Sequence, residues 1–219
     1  MLAFAAGAVN AGALLACQRF VSHVTGSITL IGIDAGTWWL AAEYALVLGC
    51  FVLGAASSVL AIEAPLRAAR RPLHHLPLVV VASIVAATAW AGHLGAFGAF
   101  GGAIEEPPDF VLLSVLGFAM GLQNATVATS TGMAIRTTHM TGPATDFGVA
   151  LGTAFVAKGP ERATTLRGAA MRAGKIVGFA LGGVAMVPLC AALTWLAFLL
   201  PAAIVAAATL LSFVPKVRS

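Results

Sequence analysis

Charge is what this sequence has least of. Only 9% of its 219 residues are Asp, Glu, Lys or Arg, against about 25% in a soluble globular domain. With 60% hydrophobic residues and a mean hydropathy of +0.97, the folded surface must face lipid. The chain is therefore expected to be an integral membrane protein. A net charge of +4 would suit nucleic acid, but the positions of the charges argue against that partner. Ten of the 12 Lys and Arg fall in three places: Arg67, Arg70 and Arg71; Lys158, Arg162, Arg167, Arg172 and Lys175; and Lys216 with Arg218. These read as cytoplasmic flanks of membrane segments. Cysteine is also scarce. Cys17, Cys50 and Cys190 stand apart in apolar stretches, without the spacing of a disulfide framework or zinc site. No Gly-x-Ser-x-Gly, HExxH, P-loop or dinucleotide-binding glycine pattern occurs, so nothing asks for an enzyme, a metal or a cofactor.

What the sequence does contain is a duplication. Gly7-x-x-Asn10-Ala11 is followed by Ser22-His23-x-Thr25-Gly26-x-x-Thr29, and Gly121-x-x-Asn124-Ala125 by Thr138-His139-x-Thr141-Gly142-x-x-Thr145. The spacers differ by two residues, Asn10 to His23 being 13 steps and Asn124 to His139 being 15. A spanning helix needs about 20 apolar residues. On that measure spans are expected at Leu2–Cys17, Trp38–Ile62, Pro77–Ala103, Phe110–Met133, Ala173–Ala192 and Leu193–Val214. Thr25–Ile33 and Thr141–Ala157, after the two motifs, are expected to be half-helices or re-entrant elements. No basic residue precedes the first apolar stretch and the motif lies within it, so it is expected to belong to the fold and not to a leader.

The expected fold is an all-α polytopic membrane protein of about six transmembrane helices. Residues 1–104 would form one repeat and residues 110–214 the other, each a broken helix followed by two spans, within a single membrane domain. Three crossings per half make the second copy inverted relative to the first. Inverted copies bring their broken helices together near the midplane. The three Arg after Glu63 and the acidic run Glu105-Glu106-Pro107-Pro108-Asp109 place the former loop inside and the latter outside. Both termini would then lie inside. Trp38, Trp39 and Tyr44 suit an interfacial aromatic belt, and Gly117/Gly121 and Gly178/Gly182 permit close helix contact.

The paired motifs carry the candidate site. Thr25 and Thr141 can each cap the half-helix that follows, with Gly26 and Gly142 allowing close backbone approach. A backbone break in lipid survives only against protein or a water-filled cavity, and free N–H groups at a helix start favour an anion. Asn10 and Asn124 can contact a solute or tie helices together. His23 and His139 can bind a solute or carry a proton; the alternatives are a neutral ring donating to a carbonyl, or a metal pair for which no further ligands are spaced. Arg19 and Arg136, just before the caps, would add positive potential or snorkel to an interface. Asp146 is a candidate for proton coupling or for pairing with Arg136, Asp34 is expected at the external interface, and Glu43 fits either setting. His93 is expected to be a packing residue.

At these residues the sequence resembles the YoaK-like family of bacterial inner-membrane proteins. The carriers are Gly7-x-x-Asn10-Ala11 with Phe20-Val21-Ser22-His23-Val24-Thr25-Gly26-Ser27, and Gly121-Leu122-Gln123-Asn124-Ala125 with Thr137-Thr138-His139-Met140-Thr141-Gly142. The resemblance covers nearly the whole chain and implies six membrane segments without an assigned activity. Family members often carry Asp where Asn10 stands and Asn where Ser27 stands, so a proton-carrying role does not transfer to position 10. The leading expectation is a transporter or channel-like permease for a small polar, preferentially anionic, solute. Its site would combine Asn10, His23, Thr25, Gly26, Asn124, His139, Thr141, Gly142, Arg19 and Arg136. A scaffold, assembly factor or ligand sensor is the alternative, and an intramembrane lipid enzyme a third. Partners are expected to be the bilayer, the solute and a second copy in a homodimer.

Overall fold

A protein in lipid must satisfy its backbone polar groups internally, and helices do this within a single segment. In the computed structural model, residues 1–102, 107–131 and 136–212 are described, the side chains of residues 107–109 excepted, and all their regular structure is helical. Eight α-helices follow in order: α1 (Leu2–Cys17), α2 (Val24–Ile33), α3 (Trp38–Arg67), α4 (His75–His93), α5 (Pro107–Ser130), α6 (Thr141–Val156), α7 (Gly159–Leu193) and α8 (Leu199–Ser212). Among the described residues four stretches are long and apolar enough to cross a membrane: Trp38–Arg67, His75–His93, Phe110–Ser130 and Gly159–Ser212. The chain is thus a helical membrane protein. Glu105 and Glu106, Met133, Lys216 and Arg218, on which parts of the expected topology rested, lie outside the described residues.

Several helix limits differ from expectation for physical reasons. Helix α3 runs on past Ile62 to Arg67, carrying Pro65 near its end, and Glu63 and Arg67 form an i,i+4 ion pair at 3.3 Å there. Helix α4 stops at His93, ten residues short of the expected Ala103. Beyond it Gly95, Gly98 and Gly101 take φ of 87°, 69° and 89°, a left-handed region that costs glycine little. Gly101 N–H then donates to the Ala16 carbonyl at 2.8 Å, fastening this loop to the end of α1. His93 is exposed there, edge-on to Trp90 at 6.1 Å, instead of packed inside.

Helix α7 begins at Gly159 and not at Ala173, so the basic run is helical. Pro160 in its first turn and Glu161 close behind suit a helix start, and Ala, Arg and Leu are strong helix formers. Pro188 lies within α7 without ending it. The break comes at Thr194, with φ 50° and ψ −121°, where a 3-10 turn over Thr194–Phe198 leads into α8.

The two halves make matching contacts. Helices α3 and α5 pack along each other, and so do α1 and α7; α2 lies on α3 and α6 on α7; α4 meets α5 and α1 meets α8. The closest approaches match residue for residue. A Cβ at Gly7 would strike the Phe179 carbonyl and one at Gly121 the Phe51 carbonyl. Likewise a Cβ at Gly54 would strike the Phe118 carbonyl and one at Gly182 the Phe4 carbonyl. Without side chains at these points the helix backbones touch directly, the packing mode that small residues permit in lipid.

The core is shared by α1, α4, α5 and α8, with fully buried Val9, Val81, Val85, Leu113, Leu116, Met120 and Val205. The outward faces are apolar as well, with Val52, Leu53 and Leu60 on α3 and Leu181, Val184 and Val187 on α7 exposed. Trp38 and Trp39 stand 72% and 57% exposed at the start of α3, in keeping with an interfacial anchor.

Candidate functional site

In both motif regions an asparagine holds the link that leads into the second helix, Ser22 ahead of α2 and Thr137–Thr138 ahead of α6. Helix α1 ends at Gln18 in the left-handed conformation, φ 56°, its N–H donating to the Leu14 carbonyl at 2.9 Å. Asn10 Oδ1 accepts from the backbone N–H of Ser22 at 3.2 Å and from its hydroxyl at 2.9 Å. In the second half Asn124 Oδ1 accepts from the N–H of Thr138 at 3.1 Å and from the Thr137 hydroxyl at 3.4 Å. A backbone N–H can only donate, so each amide oxygen must face the link. Each Nδ2 is left as a donor that makes no hydrogen bond among the described residues. The asparagines therefore do tie the breaks, one of the two roles considered for them, while keeping donor capacity.

The half-helices start where the motifs placed them, but by a different cap. Thr25 and Thr141 lie inside the first turns of α2 and α6, and the N-cap positions belong to His23 and Met140, neither making a side-chain cap hydrogen bond. The Thr-cap expectation is therefore corrected. The residue behind each Gly is a histidine ring instead. His139 Nε2 accepts from the Gly142 N–H at 3.2 Å, and a Cβ on Gly26 would collide with the His23 ring. Gly26 and Gly142 make room for imidazole and not for a crossing backbone. The hydroxyls of Thr29 and Thr145 bond back to the carbonyls of Thr25 and Thr141 at 3.0 and 3.1 Å.

The two links border an open cavity of about 420 Å³, with His23, Thr25, Arg136, His139 and Thr141 exposed around it. From the first half come Asn10, Phe20, Ser22, His23, Val24 and Thr25. From the second come Asn124, Arg136, Thr138, His139, Met140 and Thr141, with Phe51 of α3 and Phe179 of α7 completing the wall. Seven of the expected site residues thus meet: Asn10, His23, Thr25, Asn124, Arg136, His139 and Thr141. Gly26 and Gly142 sit behind the histidines and are not among the lining residues.

Arg19 departs from expectation. Its Nε donates to Glu43 Oε1 at 2.6 Å, Glu43 being only 3% exposed, and its guanidinium stands 5.7 Å from the Tyr44 ring centroid. An ion out of water is tolerated when paired; here the pairing cancels the positive potential that Arg19 was expected to supply. It borders a smaller cavity of about 130 Å³ with His23 and Ser27. Asp146 pairs with Arg172 at 3.5 Å and not with Arg136, and it does not line the central cavity. Asp34 closes α2, its carbonyl accepting from the Thr37 N–H at 2.8 Å.

Sequence reading missed Lys175, Phe51 and Phe179. Lys175 donates from Nζ to the His139 carbonyl at 2.6 Å and stands close enough to Arg136 for mutual repulsion. Its place in a basic run concealed it. The available signal was its spacing of four from Phe179, which puts both on one face of α7. Phe51 and Phe179 stand opposite Gly121 and Gly7 of the motif, a partnership across the chain that no local pattern encodes. Among the described residues, no carboxylate forms an ion pair with Arg136 or Lys175.

Comparison with curated proteins and with solved structures found no match for this chain. A family described as "Protein of unknown function (DUF1275)" matches residues 1–211. The chain belongs to that family.

Proposed function

We propose that the protein is a membrane transporter or channel-like permease for a small polar solute, preferentially an anion, bound where the two broken helices meet. The observation that carries this reading is the 420 Å³ cavity. It is bordered by two asparagines with donor capacity, two histidines and Arg136, and walled by helices of membrane-spanning length. Charge is unequal between the halves. The first neutralises Arg19 with Glu43, whereas the second sets Arg136 and Lys175 together without a carboxylate on either among the described residues. That imbalance favours a negative solute.

In this reading α1 with α2, and α5 with α6, each make one broken crossing, and α3, α4, α7 and α8 make four more. Both termini are inside, and residues 1–104 and 110–214 are inverted copies. The reciprocal contacts of Gly7 with Phe179 and Gly121 with Phe51 support a pseudo-two-fold axis through the cavity. Transporters of this construction bind at the midplane and alternate access by moving one repeat against the other. A scaffold whose breaks plug one another needs a filled centre, and the cavity weighs against it.

The test is solid-supported-membrane electrophysiology on reconstituted protein with a panel of small anions and weak acids, silent solutes being followed by radiolabelled uptake. A solute-dependent signal that disappears in His23→Ala/His139→Ala is expected. Wild-type protein inert to the whole panel in both assays would favour a scaffold or sensor.

A further inference from the structure

The central cavity has a neighbour. A groove of about 390 Å³ lies between α3 and α5, walled by Val52, Ala56 and Val59 on one side and by Ala125 and Ala128 on the other. Asn124 and Arg136 border it as well, and both also line the central cavity. Val52 is 56% exposed on a helix long and apolar enough to span, so the groove opens toward acyl chains. The small side chains along it leave an open trough, apolar apart from Thr129, with the exposed Arg136 on its border. An ionised side chain bordering lipid is costly without a counter-charge, and among the described residues Arg136 has no carboxylate partner. The central cavity is itself mixed, with the rings of Phe20, Phe51 and Phe179 beside its polar groups.

We propose that the solute is an amphiphilic organic anion. Its charged head occupies the central cavity against Arg136 and Asn124, and its single apolar tail lies in the α3–α5 groove. This rests on the anion reading given above and adds the tail and a lateral entry. A guanidinium presents planar paired donors suited to a carboxylate, sulfonate or phosphate head. The groove's volume falls within the roughly 300–1,000 Å³ typical of sites for one small ligand, which favours a single-tailed free acid over a diacyl lipid.

Permanently charged probes separate head from tail. Methanesulfonate and octanesulfonate are titrated calorimetrically into protein held in phosphatidylcholine nanodiscs, with empty nanodiscs subtracted. Octanesulfonate is expected to bind at least tenfold more tightly, and Ala56→Trp, which fills the groove, to bring it down to the affinity of methanesulfonate. Val59→Phe serves the same purpose should the tryptophan variant fail to fold. Equal affinities for the two probes, both abolished by Arg136→Gln, would leave the anion site standing and overturn the tail. Binding of neither probe would overturn the anion reading along with the tail. Competition against octanesulfonate by added phosphatidylglycerol would assign the groove to a membrane lipid and overturn the free acid.

Discussion

At the residue scale, two kinds of contact hold the site, and each can be broken singly. Gly7 and Gly121 face carbonyls of the opposing helix, so a methyl group at either forces the helices apart. Overpacking of this kind costs about 1–3 kcal/mol. Gly7→Ala and Gly121→Ala are expected to lower the detergent-solubilised Tm by similar amounts. Gly148→Ala, where nothing lies within 4 Å of an added Cβ, should not lower it. The Arg19–Glu43 pair gives a second test, because leaving a buried ion without its partner costs about 3–5 kcal/mol. Arg19→Met, which strands the buried Glu43, should therefore destabilise strongly, and Arg19→Met/Glu43→Leu should recover much of the loss. If the double variant is no better than the single one, the pair is not the reason Glu43 is tolerated.

At the scale of elements, the starts of α2 and α6 were legible because Thr-Gly after His repeats in an apolar setting. The cap itself was not legible, since a hydroxyl and an imidazole both lie within reach of the same free N–H groups. His139→Ala is expected to speed hydrogen exchange at the Gly142 amide and to loosen the first turn of α6, by about 1 kcal/mol if it matches an ordinary N-cap. Unchanged exchange there would remove the imidazole from the cap. The exposed Asp146–Arg172 pair should behave as surface pairs do, contributing about 0–1 kcal/mol, so Asp146→Asn is expected to retain both fold and solute signal. The end of α4 escaped sequence reading because Ala and Phe keep hydropathy high through Gly95–Gly101, where only positive φ reveals the turn. The start of α7 escaped it for the opposite reason. Its charges resemble a loop, although 35 helical residues, about 50 Å at 1.5 Å each, exceed a hydrocarbon core of about 30 Å. The charged turns can therefore project into water.

For the whole molecule, the duplication was legible as an ordered pair of motifs, and the contact pattern repeats it: α1 with α7 matches α5 with α3. What one sequence could not yield was the partner of each motif residue across the bundle, since Arg19 and Glu43 are 24 positions apart and Gly7 meets a helix of the other half. The proposed six-crossing arrangement makes an orientation prediction. In a background lacking native cysteine, Ala69→Cys and Lys158→Cys should be labelled from the cytoplasmic side and Ala96→Cys from the other. Labelling of all three from one side would contradict the odd number of crossings per half.

The central claim is that two broken helices share one solute site, and Thr25 and Thr141, which border the cavity from opposite halves, test it most directly. With a transported anion in hand, each is replaced singly by cysteine and treated with a charged methanethiosulfonate while the reconstituted current is recorded. Modification at either position should abolish the current, and the solute should slow both reactions at the same concentration. A current that survives modification at one of them, or protection confined to one half, would contradict a shared site.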